Sequence, residues 1–136
     1  MTTNKDRAIE ACRHLSDRNL DPVFAAFDDE GTWTMPYLPE RFAFAGRRNK
    51  ADMRALLDGF LGAFDTFEFR VEQAIADGDW VAIKGASTGT GPGTARYENT
   101  YHLLFHYRDG KVLEVRELFD PYQVEAYIQQ VEAQGA

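Results

Sequence analysis

One carboxylate in this chain stands where carboxylates seldom do. Residues 97–121, YENTYHLLFHYRDGKVLEVRELFDP, read as two strands joined by a turn at Arg108-Asp109-Gly110-Lys111. Side chains on a strand point alternately to opposite faces. Tyr97, Asn99, Tyr101, Leu103, Phe105 and Tyr107 therefore share a face with Val115, Glu117 and Phe119 of the second strand. That face is aromatic and aliphatic except for an amide, phenols and one carboxylate. Polar groups on a core-facing surface are costly unless paired, so they mark either a satisfied buried network or the lining of a pocket. Glu117, between Val115 and Phe119, meets a low dielectric that disfavours its charge and raises its pKa towards the range useful for proton transfer at neutral pH. The competing reading is a Glu held by Asn99, Tyr97, Tyr101 or Trp33, or one turned outwards by a bulge that brings Arg116 in. Tyr97 and Asn99, with Tyr101 beyond them, could polarise a carbonyl or stabilise a developing oxyanion. Cross-strand packing is the alternative for Tyr101.

The elements that must position these groups follow from periodicity. Residues 5–18 read as a helix capped by Thr3 or Asn4, with Ala8, Ala11, Cys12 and Leu15 inward. Asp21-Pro22 opens a short second helix with Val23, Phe24 and Phe27 on its apolar side, ended by Gly31. Thr32–Met35 reads as a short strand stopped by Pro36, and 36–46 as an aromatic loop that packs over something. Asn49 caps a helix over 50–64, where Met53, Leu56, Leu57, Phe60, Leu61 and Phe64 form a wide stripe. From 66 to 120 the chain is strand-like: Phe67, Phe69, Val71, Gln73 and Ile75 alternate with charged residues, Asp77-Gly78 signals a hairpin, and Trp80–Thr88 is the next strand. Gly89–Thr94 joins two strands and so is no phosphate loop. Asp120-Pro121 starts a last helix, 122–133, with Val124, Tyr127, Ile128 and Val131 on one side. Helices followed by a run of strands indicate an α+β fold, and 136 residues without a repeat or linker suit a single domain.

Composition narrows the partners. The chain is 44% hydrophobic and 27% charged, with a net charge of −7; no basic cluster exceeds Arg47-Arg48, which argues against nucleic acid and anionic membranes. No apolar run reaches membrane-spanning length, and the charged start is no signal peptide, so a cytoplasmic location is the expectation. The single cysteine, Cys12, reads as a small buried hydrophobe. With one Cys and three scattered His, no metal site is expected. His102 and His106 fall on the face opposite Asn99.

The order of these parts resembles the SnoaL-like branch of the nuclear transport factor 2-like superfamily. The short helix DPVFAAFDDEG leading into a Trp-bearing strand, the amphipathic helix 50–64 and the ending DGKVLEVRELFDP carry the resemblance over about residues 5–123. It implies a cone: a strongly curved antiparallel sheet wrapped around the helices, with a pocket at the open end. It also implies a homodimer through the outer sheet face, a small-molecule ligand and cofactor-independent acid/base chemistry. Trp33 falls where the family places a pocket wall; with it Met35, Met53, Phe60, Phe64, Tyr101 and Phe119 are the expected ligand-binding residues, and Glu117, Asn99 and Tyr97, from their place on the strand face, the expected catalytic set. Isomerases, cyclases, dehydratases and condensing proteins share this scaffold, as do non-catalytic binding or dimerisation modules; fold alone does not choose. The segment from Gly89 to Pro121 is also similar to phenazine-biosynthesis A/B-type proteins, whose acidic residue in the last strand maps onto Glu117. Their histidine has no counterpart here, since its place falls near Met53 or Leu56. Ketosteroid isomerases carry an Asp before the proline where this chain has Met35. The Asp-Arg-Asp set of limonene epoxide hydrolases is also missing, for no Arg-x-Asp pair lies on 80–107.

Overall fold

The structure, a computed structural model, describes residues 2–135. Helix α1 (Asn4–Ser16) opens on a capping box in which the Thr3 hydroxyl accepts from the Asp6 N–H and the Asp6 carboxylate accepts from the Thr3 N–H. Helix α2 (Leu20–Ala25) begins earlier than Asp21-Pro22 suggested; Asn19 occupies the cap position and Asp21 sits in the first turn, where its charge still favours the helix dipole. Helix α3 (Lys50–Gly62) is capped by Asn49, whose side chain accepts from the Asp52 N–H at 2.8 Å. Helix α4 (Pro121–Gln134) is capped by Asp120, which accepts from the Tyr122 N–H at 3.0 Å.

Six strands form one sheet in the order β2-β1-β6-β5-β4-β3. They are β1 (Phe27–Met35), β2 (Gly46–Asn49), β3 (Thr66–Asp77), β4 (Trp80–Thr90), β5 (Arg96–Arg108) and β6 (Lys111–Phe119). Neighbours run antiparallel except β1 and β6, which are parallel. The fold is the α+β cone that the sequence suggests, with that one parallel pair added. Helices α1 and α3 cover the inner face, α1 against β3 and β4 and α3 against β1, while α4 closes the end near β5.

Three local expectations are corrected. Gly31 does not end the second helix unit; it lies inside β1, at a break in register against β6 between Phe27 and Thr32. A Cβ there would sit 2.7 Å from Phe27 Cδ2 and 2.8 Å from the Val112 carbonyl, so only glycine allows the strand to pass. The edge strand β2, GRRN, carries no apolar pattern to announce it; the expected loop 36–46 stops at Ala45, and Asn49 both closes this strand and caps α3. In β3 a bulge between Val71 and Gln73 shifts the phase. Ala74 turns towards the core and Ile75 turns out to 59% exposure, contrary to the unbroken alternation.

The β5–β6 hairpin closes through Asp109 and Gly110, both with positive φ (52° and 76°), as a two-residue loop with matching twist requires. Its register pairs Tyr101 with Phe119, Leu103 with Glu117 and Phe105 with Val115. Glu117 is thereby fixed on the inner face, the bulge in this hairpin falling between His106/Tyr107 and their partners, before Glu117 is reached. His102 and His106 are on the outer face, where the His106 ring stacks on Trp80 at 3.8 Å.

Candidate functional site

Between the inner sheet face and helices α1, α3 and α4 lies a cavity of about 300 Å³, at the lower end of the size range of small-molecule sites. Trp33 and Met35 of β1 and Met53 of α3, all buried, form its depth. Leu56, Leu57 and Phe60 of α3, Phe44 of the 36–45 loop and Ile128 of α4 are partly exposed and surround its mouth. Phe67 and Phe69 of β3 and Phe119 of β6 complete aromatic walls. The helix that carries one wall is held by Arg18, which adopts a left-handed backbone (φ 58°) and donates to the carbonyls of Leu61 (3.1 Å) and Phe64 (2.7 Å). A guanidinium at a helix C-terminus satisfies orphan carbonyls and complements the dipole.

The 36–45 loop is strapped down at three points. The Tyr37 hydroxyl donates to the Phe119 carbonyl (2.6 Å) and accepts from the Phe119 N–H (2.7 Å), standing in for a missing strand partner at the end of β6. Arg41 makes a forked ion pair with Glu125 of α4 (2.5 and 3.2 Å) and lies 4.4 Å over the Phe42 ring. Phe42 meets Tyr122 edge-on at 5.5 Å.

Glu117 is the cavity's acidic group. Parallel pairing sets Trp33 beside Val115, so Glu117 stands one inward position further along β6. The indole Nε1–H of Trp33 donates to Glu117 Oε1 at 2.9 Å. No side chain or backbone group of the described residues bonds Oε2, which opens on the cavity. Burial pushes the Glu117 carboxyl up from its ordinary 4.5 to about 7, and the Trp33 hydrogen bond partly offsets that rise. The carboxyl thus exists in both protonation states near neutrality, as a group that both takes and returns a proton must. Replacing Trp33 by Phe removes the one donor that favours the charged form. The Glu117 titration in Trp33→Phe is expected to move above 7, read by infrared or NMR titration of the carboxyl; an unchanged or lower value would show that the indole does not set this group's acidity.

The other polar groups form a line. Asn99 Nδ2 donates to the Tyr97 hydroxyl (2.9 Å), which lies 2.8 Å from the Tyr101 hydroxyl, itself 2.7 Å from Ser87 Oγ. Burial raises the pKa of both phenols far above the ordinary tyrosine range, and the Glu117 charge adds to it. They remain neutral hydrogen-bonding groups. Tyr97 and Tyr101 line the cavity; Ser87, buried behind them, extends the chain through the sheet.

Of the ten residues singled out from sequence, Trp33, Met35, Met53, Phe60, Tyr97, Tyr101, Glu117 and Phe119 border this cavity. Asn99 and Phe64 do not. Asn99 is fully engaged: besides Tyr97, its Nδ2 donates to the Asp120 carbonyl (3.0 Å), and its Oδ1 accepts from the N–H groups of Thr100 (2.9 Å) and Asp120 (3.0 Å). It holds the start of α4 and orients Tyr97, and no donor is left for a ligand. Phe64 lies past the end of α3, stacked on Tyr127 at 4.3 Å and packed against Gly89, behind the wall it was expected to form. Beyond the expected residues the lining includes Leu15, Phe44, Leu56, Leu57, Leu61, Phe67, Phe69, Leu103, Val124 and Ile128. The aromatic loop, the α3 stripe and the period-two runs carried the signal for most of them. Cys12 is sealed in the core, its thiol pushed up to about 12 by burial.

Among the described residues no cluster of three or more His, Cys, Asp or Glu could hold a metal ion, and no helix is long and apolar enough to cross a membrane.

Comparison with solved structures returns the same fold. The chain is similar to TerC co-crystallised with polyporic acid (TM-score 0.77, 18% identity, 93% of this chain and 99% of that one). It is similar to an NTF2-like protein of unknown function from Burkholderia pseudomallei (0.78, 15%, 93% and 98%). It is also similar to an LEH-like epoxide hydrolase of M. tuberculosis (0.70, 24%, 98% and 96%). No curated protein matches the sequence. The SnoaL-like domain model matches residues 8–115, from α1 through β1–β5 to Val115 of β6. With that match spanning most of the chain and the cone enclosing a small-molecule cavity, the chain belongs to the SnoaL-like domain family.

Proposed function

We propose that this protein is a cofactor-independent acid/base enzyme of the isomerase, cyclase, dehydratase or condensation kind. It acts on a small, neutral, ring-containing or polyketide-like molecule. The observation that carries this reading is Glu117: a carboxyl that burial pushes up to about 7, with one oxygen held by Trp33 and the other free of partners among the described residues, in a largely aromatic cavity that Tyr97 and Tyr101 also line. Glu117 shuttles the proton. Tyr97 and Tyr101 polarise the substrate's oxygen, with Asn99 acting through Tyr97. The aromatic walls select for flat rings, and the Glu117 charge disfavours anionic guests. The reading is tested by ligand-induced shifts of the melting temperature at pH 8 with 2-naphthol and with 2-naphthoate. Stabilisation by the neutral compound alone is expected; preference for the carboxylate would overturn the reading.

A homodimer through the outer sheet face belongs to the same proposal. Ile75, Trp80 and Leu118 stand 59%, 42% and 49% exposed on that face, large apolar side chains of the kind that a protein interface covers. Leu118→Glu is expected to give a monomer by sedimentation where the parent sediments as a dimer. Equal sedimentation of the two would remove this face from the interface.

A further inference from the structure

We propose that the outer face of the sheet carries a second binding site, for a doubly charged oxyanion: a phosphate or sulfate group, free or as the head of a small ester, held between Arg47 and Arg116 over the Thr34 hydroxyl. The inference draws on neither Glu117 nor the inner cavity. Strand pairing assembles the site. Thr34 of β1 lies opposite Arg47 of β2 and opposite Arg116 of β6. Trp33 and Met35 are buried on the inner side, so alternation turns Thr34 and both its partners outwards. Both arginines are exposed. Arg41, Arg54, Arg70 and Arg108 pair with carboxylates, whereas Arg47 and Arg116 have no ion-pair or hydrogen-bond partner among the described residues. Glu114 stands two residues before Arg116 on the same face and makes no ion pair with it. The Thr34 hydroxyl is buried, and it is the one such side-chain polar atom among the described residues without a hydrogen-bond partner. Buried polar groups are paired almost without exception. An orphan hydroxyl flanked by two free guanidiniums marks the place of an acceptor.

The chemistry of these groups describes the ligand. A guanidinium fork meets two oxygens of a tetrahedral oxyanion at once, and a double charge answers both arginines. A carboxylate brings two oxygens and a single charge, so it leaves one guanidinium unanswered. A threonine hydroxyl rotates to suit its acceptor, and Thr34 as a whole is only partly buried. Arginine side chains closing on an oxyanion therefore bring one of its oxygens against Thr34 Oγ1. Arg116 also borders a groove of about 280 Å³ on the same face, walled by Ile75, Ala82, Leu104 and Leu118, with Lys84 and His102 beside them. The groove has room for the apolar body of an ester, and Lys84 adds to the positive field at its head. Arg47 and Thr34 lie at the β2–β1 end of the sheet, while Ile75 and Trp80 lie at the β3–β4 end. The oxyanion site and the apolar patch proposed for the dimer thus occupy opposite ends of one face and meet at Arg116 and Leu118 of β6.

The test titrates inorganic phosphate and phenyl phosphate into the full chain by calorimetry at pH 8, where both are largely dianions. Both are expected to bind. Tighter binding of phenyl phosphate assigns the groove to the body of an ester, and equal binding assigns the site to free phosphate; either result supports the oxyanion site. Arg116→Gln is expected to weaken binding about 10-fold or more, since it removes a charge-assisted fork. Thr34→Val is expected to weaken it about 10-fold through the lost hydroxyl, without lowering the melting temperature in phosphate-free buffer, because valine suits a strand and strands no partner. Lys111→Gln removes the same charge at the start of β6 and is expected to change affinity by no more than about 2-fold at moderate salt. Absence of binding by both compounds overturns the proposal. So does affinity unchanged in Arg116→Gln and Thr34→Val, or a loss in Lys111→Gln as large as in Arg116→Gln, which would reduce the effect to general attraction. Should Arg116→Gln fail to fold, Thr34→Val and Arg47→Gln decide the matter by the same criteria.

Discussion

Glu117→Gln is expected to abolish proton-transfer turnover and, at pH 8, to leave a protein more stable than the parent. The two effects share one cause. The carboxyl binds its proton with a pKa of about 7 in the folded chain against an ordinary 4.5. Between those values the native state holds more protons than the unfolded state, so stability falls as pH rises through that window and stays low above it. The whole difference amounts to about 3 kcal/mol. Glutamine keeps a carbonyl for the Trp33 N–H and carries no charge to desolvate, so it escapes that penalty. Melting curves of parent and variant should converge near pH 4.5 and separate towards pH 8, with the variant higher. Parallel curves across this range would show that Glu117 is not buried as a charge, and the proton-shuttle assignment would lose its basis.

Asn99→Ala is expected to behave oppositely, destabilising strongly while leaving the pH dependence of any activity in place. The amide makes four hydrogen bonds. Its removal strips Tyr97 of a donor, frees the Asp120 backbone that starts α4 and leaves a gap at a position only 6% exposed. A lost buried amide with stranded partners costs about 2–4 kcal/mol. Denaturant unfolding measures that loss, and a pH–rate profile on the surviving folded protein should still turn near 7. If turnover vanished while stability held, Asn99 would be a catalytic residue as its place on the strand first suggested.

The contrast between these two residues shows what was legible in the sequence. Period-two alternation and the Asp109-Gly110 turn fix the faces of β5 and β6, and with them the inward direction of both side chains. They do not say what each side chain meets. Asn99 is satisfied by the chain's return at Asp120, a turn that sequence spacing does not place in three dimensions. Glu117 meets Trp33 through a parallel pairing between segments 84 residues apart, which no local pattern encodes. Phe64 continued the spacing of the α3 stripe, yet the helix ends at Gly62, with Arg18 binding the carbonyl of Phe64 itself. Ile75 followed the alternation until the bulge after Val71 reversed it. Periodicity carries the direction of a side chain only as far as the regular element that generates it.

The parallel pairing of β1 with β6 also bears on how the molecule comes into being. The β3–β4–β5–β6 meander can assemble by successive short hairpins, whereas β1 must wait for a strand made more than seventy residues later. Loop closure of that length is among the slower steps of folding. A chain with its meander formed and β1 still loose has Glu117 without its indole partner and a cavity without its floor. Trp33 is 2% exposed once docked, while Trp80 remains on the surface. The emission of Trp33 therefore reports on the moment the proton-handling group is completed, and ribosomal synthesis must reach Phe119 before that moment can occur.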